Sequence, residues 1–224
     1  MNKLIIFDCD GVLVDSEIIA NCIDAEMLTE LGYPISTEDS IKRFTGMNAL
    51  TVRDVIFQES GMKLPDNLSE LTQQRILNAF DNELQPLISD MLEHSSALLK
   101  CVASSSPRTR VLKSLELTKQ DHFFPQDTIF TSSQVKRGKP FPDLFLFAAE
   151  QMGIQPENCL VVEDSCAGIK AAQSAGMKVI GFLGGSHAHF DWYRQNIENL
   201  GVPIALSAKD LINHIQYFYQ NLDS

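Results

Sequence analysis

Four polar clusters in this chain of 224 residues combine the types and spacing that chemistry needs: Asp8-Cys9-Asp10, Ser104-Ser105-Ser106, Lys139 in Arg137-Gly138-Lys139-Pro140, and Glu163-Asp164. Two acids one residue apart on a tightly turning segment can both flank one substrate. A carboxylate can accept a phosphoryl group as an aspartyl-phosphate. Its neighbour can protonate a leaving oxygen and then deprotonate an attacking water. Three or four acids meeting in one crevice repel each other and resist ionising together. A bound Mg²⁺ removes that conflict, since it prefers hard oxygen ligands and keeps waters for a phosphate. Lys139 then holds a phosphate oxygen or screens the acids, while the Ser104 hydroxyl and the amides of a helix start bind phosphate oxygens.

These clusters need elements that bring them together. Residues 4–8, Leu-Ile-Ile-Phe-Asp, form an apolar run ending in an acid, which predicts a buried strand followed by a loop at Cys9-Asp10-Gly11. Residues 100–103, 128–130, 159–162 and 178–183 predict further strands. Helices are expected from Ser104-Ser105-Ser106-Pro107, with serine as cap and Pro107 at the first helical position, from Pro142 to Met152, and from Ala167 to Ala175. Strands alternating with helices predict an α/β fold with a doubly wound parallel sheet, whose ligands bind beyond the carboxyl ends of the strands. All four clusters fall there. From Ser16 to Gln85 the pattern is helical, broken at Gly32-Tyr33-Pro34, Gly46, Gly61 and Pro65. We therefore expect a small α-helical domain, 16–85, inserted into a core of 1–15 plus 86–224.

Composition removes several function classes. Lys plus Arg number 18 and Asp plus Glu 29, so the net charge is 18 − 29 = −11. That opposes sequence-independent nucleic-acid binding and an anionic membrane surface, so neither partner is expected. No run approaches the ~20 apolar residues of a membrane span. The apolar stretch after Met1-Asn2-Lys3 runs straight into Asp8, unlike a signal peptide. Five cysteines, Cys9, Cys22, Cys101, Cys159 and Cys166, are odd in number and lack metal-ligand pairing, which fits reduced thiols and a cytoplasmic location.

The ordered motifs resemble the haloacid dehalogenase superfamily, specifically its helical-cap phosphatases and phosphomutases. The first is Asp8-Cys9-Asp10-Gly11-Val12-Leu13-Val14-Asp15-Ser16-Glu17, and the second is Val102-Ala103-Ser104-Ser105-Ser106. The third is Gly138-Lys139-Pro140-Phe141-Pro142-Asp143; the fourth is Val162-Glu163-Asp164-Ser165 with Ala167-Gly168 following. The resemblance implies Asp8 as nucleophile and metal ligand. It implies Asp10 as general acid/base, binding metal through its backbone carbonyl, and Ser104, Ser105 and Lys139 as phosphate ligands. Glu163 and Asp164 correspond to the acidic metal site, with Glu163 ligating directly or through water. It also implies Mg²⁺ as cofactor and a helical cap that selects the substrate. Gly46, in the cap loop Thr45-Gly46-Met47-Asn48, is a further candidate for substrate contact.

Within that superfamily, β-phosphoglucomutase carries a histidine in the first cap helix and basic residues in its cap loop. Here the matching stretches read Glu17-Ile18-Ile19-Ala20-Asn21 and Thr45-Gly46-Met47-Asn48-Ala49. Water is therefore the expected final acceptor. The expected activity is hydrolysis of a small phosphate ester, a sugar phosphate or phosphogluconate, with a hexose-phosphate mutase as the alternative. A receiver-like signalling module is the rival from another class. It is disfavoured because receivers are shorter, lack a helical insertion and carry their accepting Asp on a later strand. A monomer is expected, with oligomers left open. Lys42, Arg43 and Arg53 read as a solvated face rather than as substrate ligands, and His187 and His189 as structural rather than lining the entrance.

Overall fold

The computed structural model describes residues 3–45, 49–95 and 98–220. In chain order the elements begin with β1 (Leu4–Phe7) and four helices, α1 (Glu17–Glu30), α2 (Thr37–Phe44), α3 (Ala49–Ser60) and α4 (Leu68–Glu83). Next come α5 (Ser89–His94), β2 (Lys100–Ser104), α6 (Arg108–Leu117), β3 (Ile129–Thr131), α7 (Asp143–Gln151) and β4 (Cys159–Glu163). The chain ends with α8 (Cys166–Ser174), β5 (Lys178–Phe182), α9 (Asp191–Glu198), β6 (Ile204–Ala205) and α10 (Ala208–Gln220). The strands form one parallel sheet in the order β3-β2-β1-β4-β5-β6. This is the doubly wound α/β architecture.

The chain divides into two compact units, Met1–Asp15 with Gln85–Ser224, and Ser16–Leu84. In the first, Asp15 N donates to Gln85 O at 2.9 Å and Leu87 N to Leu13 O at 3.0 Å, so the two connecting segments run side by side.

β1 lies between β2 and β4, and Leu4, Ile5, Ile6 and Phe7 are completely buried. A parallel strand covered on both faces needs such an unbroken apolar run. Each of these side chains contributes about 1.5–3 kcal/mol by leaving water. Two helix starts differ in their capping. Ser165 caps α8 by accepting from Gly168 N at 3.0 Å. At α6 the expectation fails: Pro107 is the cap residue, α6 starts at Arg108, and no side chain caps it. The serines before it bond elsewhere, as described below.

In the second unit, Leu28, Phe44, Ile56 and Leu64 form a core, with Tyr33, Val52 and Leu68 packed on it. Arg43 pairs with Glu59 through Nη2 at 2.8 and 2.6 Å, and Arg53 with Asp66 at 2.5 Å. These two bases serve the unit's own ion pairs, as expected of a solvated face. Among the described residues, no helix is long and apolar enough to cross a membrane.

Candidate active site

The parallel register carries the first and fourth clusters to neighbouring strand ends. Phe7 pairs with Val162, and Asp8 N donates to Val162 O at 2.9 Å, extending the ladder by one residue. Asp8 thus leaves the sheet beside Glu163 and Asp164. One oxygen from each of these three buried acids lies within 4.8 Å of the others. Cys9 then starts a tight turn, with Leu13 N and Val14 N both donating to Cys9 O. Gly11 adopts a φ of +77°, which glycine tolerates at little cost.

Lys139 completes the group. Its Nζ donates to Asp8 Oδ1 and to Glu163 Oε2, both at 2.7 Å, and its side chain is 5% exposed. Glu163 Oε1 accepts from Ser165 N at 3.0 Å and from Ser165 Oγ at 2.6 Å. Both Glu163 oxygens are therefore engaged by the protein, and this orients Lys139 towards Asp8. Burial pushes the Asp8 carboxyl well above its ordinary pKa, and repulsion from Glu163 adds to the rise. Lys139 opposes that rise but one ammonium does not cancel it. Burial likewise raises Glu163. For Lys139, burial pulls down, yet the Asp8 and Glu163 charges outweigh it and hold the ammonium firmly protonated. The cluster is short of positive charge.

Asp10 faces a different set of partners. Its Oδ2 accepts from Ser106 Oγ at 2.7 Å and from Ser104 Oγ at 3.4 Å, and its Oδ1 from Arg110 Nη2 at 2.9 Å. Both members of the Arg110–Asp10 pair are about nine-tenths buried, with side-chain exposures of 11% and 9%. Ser104 Oγ also accepts from Ser106 N at 3.0 Å. This explains the missing cap of α6: the Ser104 and Ser106 hydroxyls are turned to Asp10. Ser105, a candidate on sequence, is exposed, and its carbonyl accepts from Ser132 Oγ at 2.9 Å. The nearer of the two hydroxyls at Asp10 is that of Ser106. Between the two acids, burial lifts the Cys9 thiol pKa well above its usual value, so it stays protonated.

The structure therefore brings Asp8, Lys139, Glu163 and Asp164 into one cluster, and sets Ser104 against Asp10, which follows Asp8 by two residues. Gly46 lies outside the described residues. Sequence reasoning missed Arg110 at Asp10 and left open which of the three serines donates. His187, read as structural, is buried with its Nε2 2.8 Å from Asp164 Oδ2. Arg110 follows Asp10 by 100 residues and carries no local pattern to mark it; the Ser104-Ser105-Ser106 run marked the place but not the donor.

The family described as haloacid dehalogenase-like hydrolase matches residues 5–182. The 6-phosphogluconate phosphatase of Escherichia coli (strain K12) is 34% identical over 192 residues, covering 83% of this chain and 84% of that protein. The phosphorylated carbohydrates phosphatase of Thermotoga maritima is 30% identical over 192 residues, covering 80% of this chain and 83% of that one. A crystal structure of a conserved haloacid dehalogenase-like protein of unknown function from Agrobacterium tumefaciens superposes with a TM-score of 0.87 at 32% identity. It covers 98% of this chain and 100% of that one.

Proposed function

The chain belongs to the haloacid dehalogenase-like hydrolases, and on that premise we propose that it is a Mg²⁺-dependent phosphatase of a small phosphorylated metabolite, a sugar phosphate or phosphogluconate. The relatives named for 6-phosphogluconate and for phosphorylated carbohydrates support that substrate class. The observation that carries the reading is Lys139, held at 2.7 Å from both Asp8 and Glu163 beside Asp164.

The donor set suits Mg²⁺. It offers carboxylate oxygens only, without sulfur or imidazole nitrogen, and its charge is poorly neutralised by one lysine. In our reading Asp8, the Asp10 backbone carbonyl and Asp164 would hold the ion, with Glu163 acting on Lys139. Bound there, Mg²⁺ supplies positive charge to the carboxylates and to the phosphoryl oxygens.

Asp8 attacks phosphorus with a carboxylate oxygen. The bond from phosphorus to the ester oxygen breaks, and Asp10, held by Arg110 through Oδ1 and carrying a proton on Oδ2 once substrate is bound, gives that oxygen its proton. Asp10, now ionised, takes a proton from a water whose oxygen attacks the aspartyl-phosphate. The Asp8–phosphorus bond breaks and inorganic phosphate leaves, with Asp8 ionised and Asp10 protonated again. Lys139 orients Asp8 through Oδ1. The Ser104 hydroxyl, only loosely held by Asp10 at 3.4 Å, and the amide of Ser105 take phosphoryl oxygens, while Ser106 Oγ stays on Asp10. Each of these residues comes from the first unit, so the reading needs one chain only. The five cysteines are free thiols, which supports a reducing, cytoplasmic setting.

The test is phosphate release from a panel of phosphorylated metabolites, with Mg²⁺ and with chelator, for the wild type and Asp8→Asn. Mg²⁺-dependent release lost in Asp8→Asn is the expected result. Wild-type release by Asp8→Asn refutes the proposal, and conversion of one hexose phosphate into another without release replaces it with the mutase.

A further inference from the structure

The mechanism leaves the buried imidazole of His187 without a task. His187 sits in the 3-10 turn Ser186–His189 after β5, and its side chain is 2% exposed. Its Nε2 lies 2.8 Å from Asp164 Oδ2, and the Asp164 side chain is 4% exposed. A hydrogen on that ring nitrogen would face the lone pairs of the carboxylate oxygen.

The pair is confined on several sides. The His187 ring stands edge-on to Tyr193, with centroids 5.0 Å apart at 89°. Tyr193 Oη donates to Asp164 O at 3.4 Å. A Cβ on Gly185 would fall 2.8 Å from His187 Cε1 and Nδ1; one on Gly11 would fall 2.1 Å from Asp164 Oδ2 and 2.9 Å from His187 Cε1. At both glycines a side chain would collide with the pair. The preceding residue is tied down as well. Ser186 N donates to Asp15 Oδ1 at 2.9 Å, and Ser186 Oγ donates to Asp15 Oδ2. The turn that carries His187 is thereby fastened to the loop that follows Asp10.

We infer that His187 is a positioning residue for the cation site, setting the Asp164 carboxylate so that its remaining lone pairs face the ion. The inference rests on the reading that Asp8, Asp10 and Asp164 hold Mg²⁺. The physical reason is general. A carboxylate free to turn about its last bond loses that freedom on binding an ion, and a donor that fixes it beforehand removes the cost. Partners of this kind beyond the ligands change metal affinity by about 10–100-fold when removed.

The experiment titrates the full chain with Mg²⁺ by calorimetry at fixed pH without substrate, for the wild type, His187→Gln and His187→Asn. Both variants keep a polar side chain in the cavity. The glutamine amide reaches the place of Nε2; the asparagine amide ends near Nδ1, short of Asp164. Mg²⁺ binding by His187→Asn is expected to be about 10-fold weaker than wild type, with His187→Gln recovering most of the loss. Equal binding by the two variants, whether like the wild type or weaker, overturns the inference. A wild type that binds no Mg²⁺ overturns the cation reading itself, an outcome visible before either variant is compared.

Discussion

Gly168→Ala puts a methyl group where the Glu163 carboxylate now lies. An alanine Cβ there falls 2.0 Å from Glu163 Cδ and 2.1 Å from Oε2. To reach an ordinary contact near 3.4 Å the carboxyl group must retreat by about 1.4 Å. Glu163 is a flexible side chain, so backbone strain is not where the cost falls. It falls on the bonds that now hold the carboxylate, from Ser165 Oγ at 2.6 Å and Lys139 Nζ at 2.7 Å. Glu163 has no exposed surface to move into. Overpacking of this kind costs about 1–3 kcal/mol. For a chain of this size each kcal/mol is about 2–4 °C of unfolding temperature. Lys139 then loses one of its two carboxylates and no longer fixes Asp8. A misplacement of about 1 Å at a reacting group costs about 10²-fold in rate. The assays are kcat for phosphate release at saturating Mg²⁺ and calorimetric unfolding in chelator. Gly138→Ala serves as the packing control, because its nearest neighbour, Ser132 Cβ, is 3.7 Å away. It is expected to stay within about 0.5 kcal/mol of the wild type. A Gly168→Ala enzyme with wild-type kcat and unfolding temperature would refute the idea that Glu163 acts by holding Lys139.

Three further outcomes follow from the charges. Burial and Glu163 raise the Asp8 pKa in the folded chain. Its stabilising contribution is therefore complete below the ordinary carboxylate value near 4 and is lost as pH climbs through the raised one. In chelator the unfolding temperature should fall with rising pH over that range, and fall less in Asp8→Asn; parallel curves would count against the shift. Saturating Mg²⁺ should stabilise the wild type by about 2.7 kcal/mol at one hundred times its Kd; differential scanning calorimetry with and without chelator measures this, and no shift at that ratio would contradict a site that forms only in the folded chain. Arg110→Met leaves Asp10 buried without its cation and should cost about 3 kcal/mol in urea unfolding; a loss below about 1 kcal/mol would mean that water replaces the guanidinium.

Much of the first unit is legible from local pattern. The apolar runs at Leu4–Phe7, Lys100–Ser104, Cys159–Glu163 and Lys178–Phe182 appear as strands of one parallel sheet. Such runs need no context, because a strand buried on both faces has no polar alternation to hide it. The end of the chain was less readable. β6 is two residues long, and α9 and α10 lie beyond the last motif, where no chemistry drew notice. At α6 the sequence pointed to a serine cap, and the structure spends those hydroxyls on Asp10. A local preference yields to a buried carboxylate that must find donors.

The sequence by itself determined the strand ends and the acids placed on them, since apolar runs, glycines and acid pairs are written over a few adjacent residues. Tertiary structure alone decided which distant donor each acid receives, Glu163 taking a local pair from Ser165 besides. Lys139 meets Asp8 across 131 positions, Arg110 meets Asp10 across 100, and His187 reaches Asp164 only because β5 lies beside β4. Burial makes those choices matter: in water each carboxylate finds its own hydration, and in the crevice it takes the donors that the fold delivers.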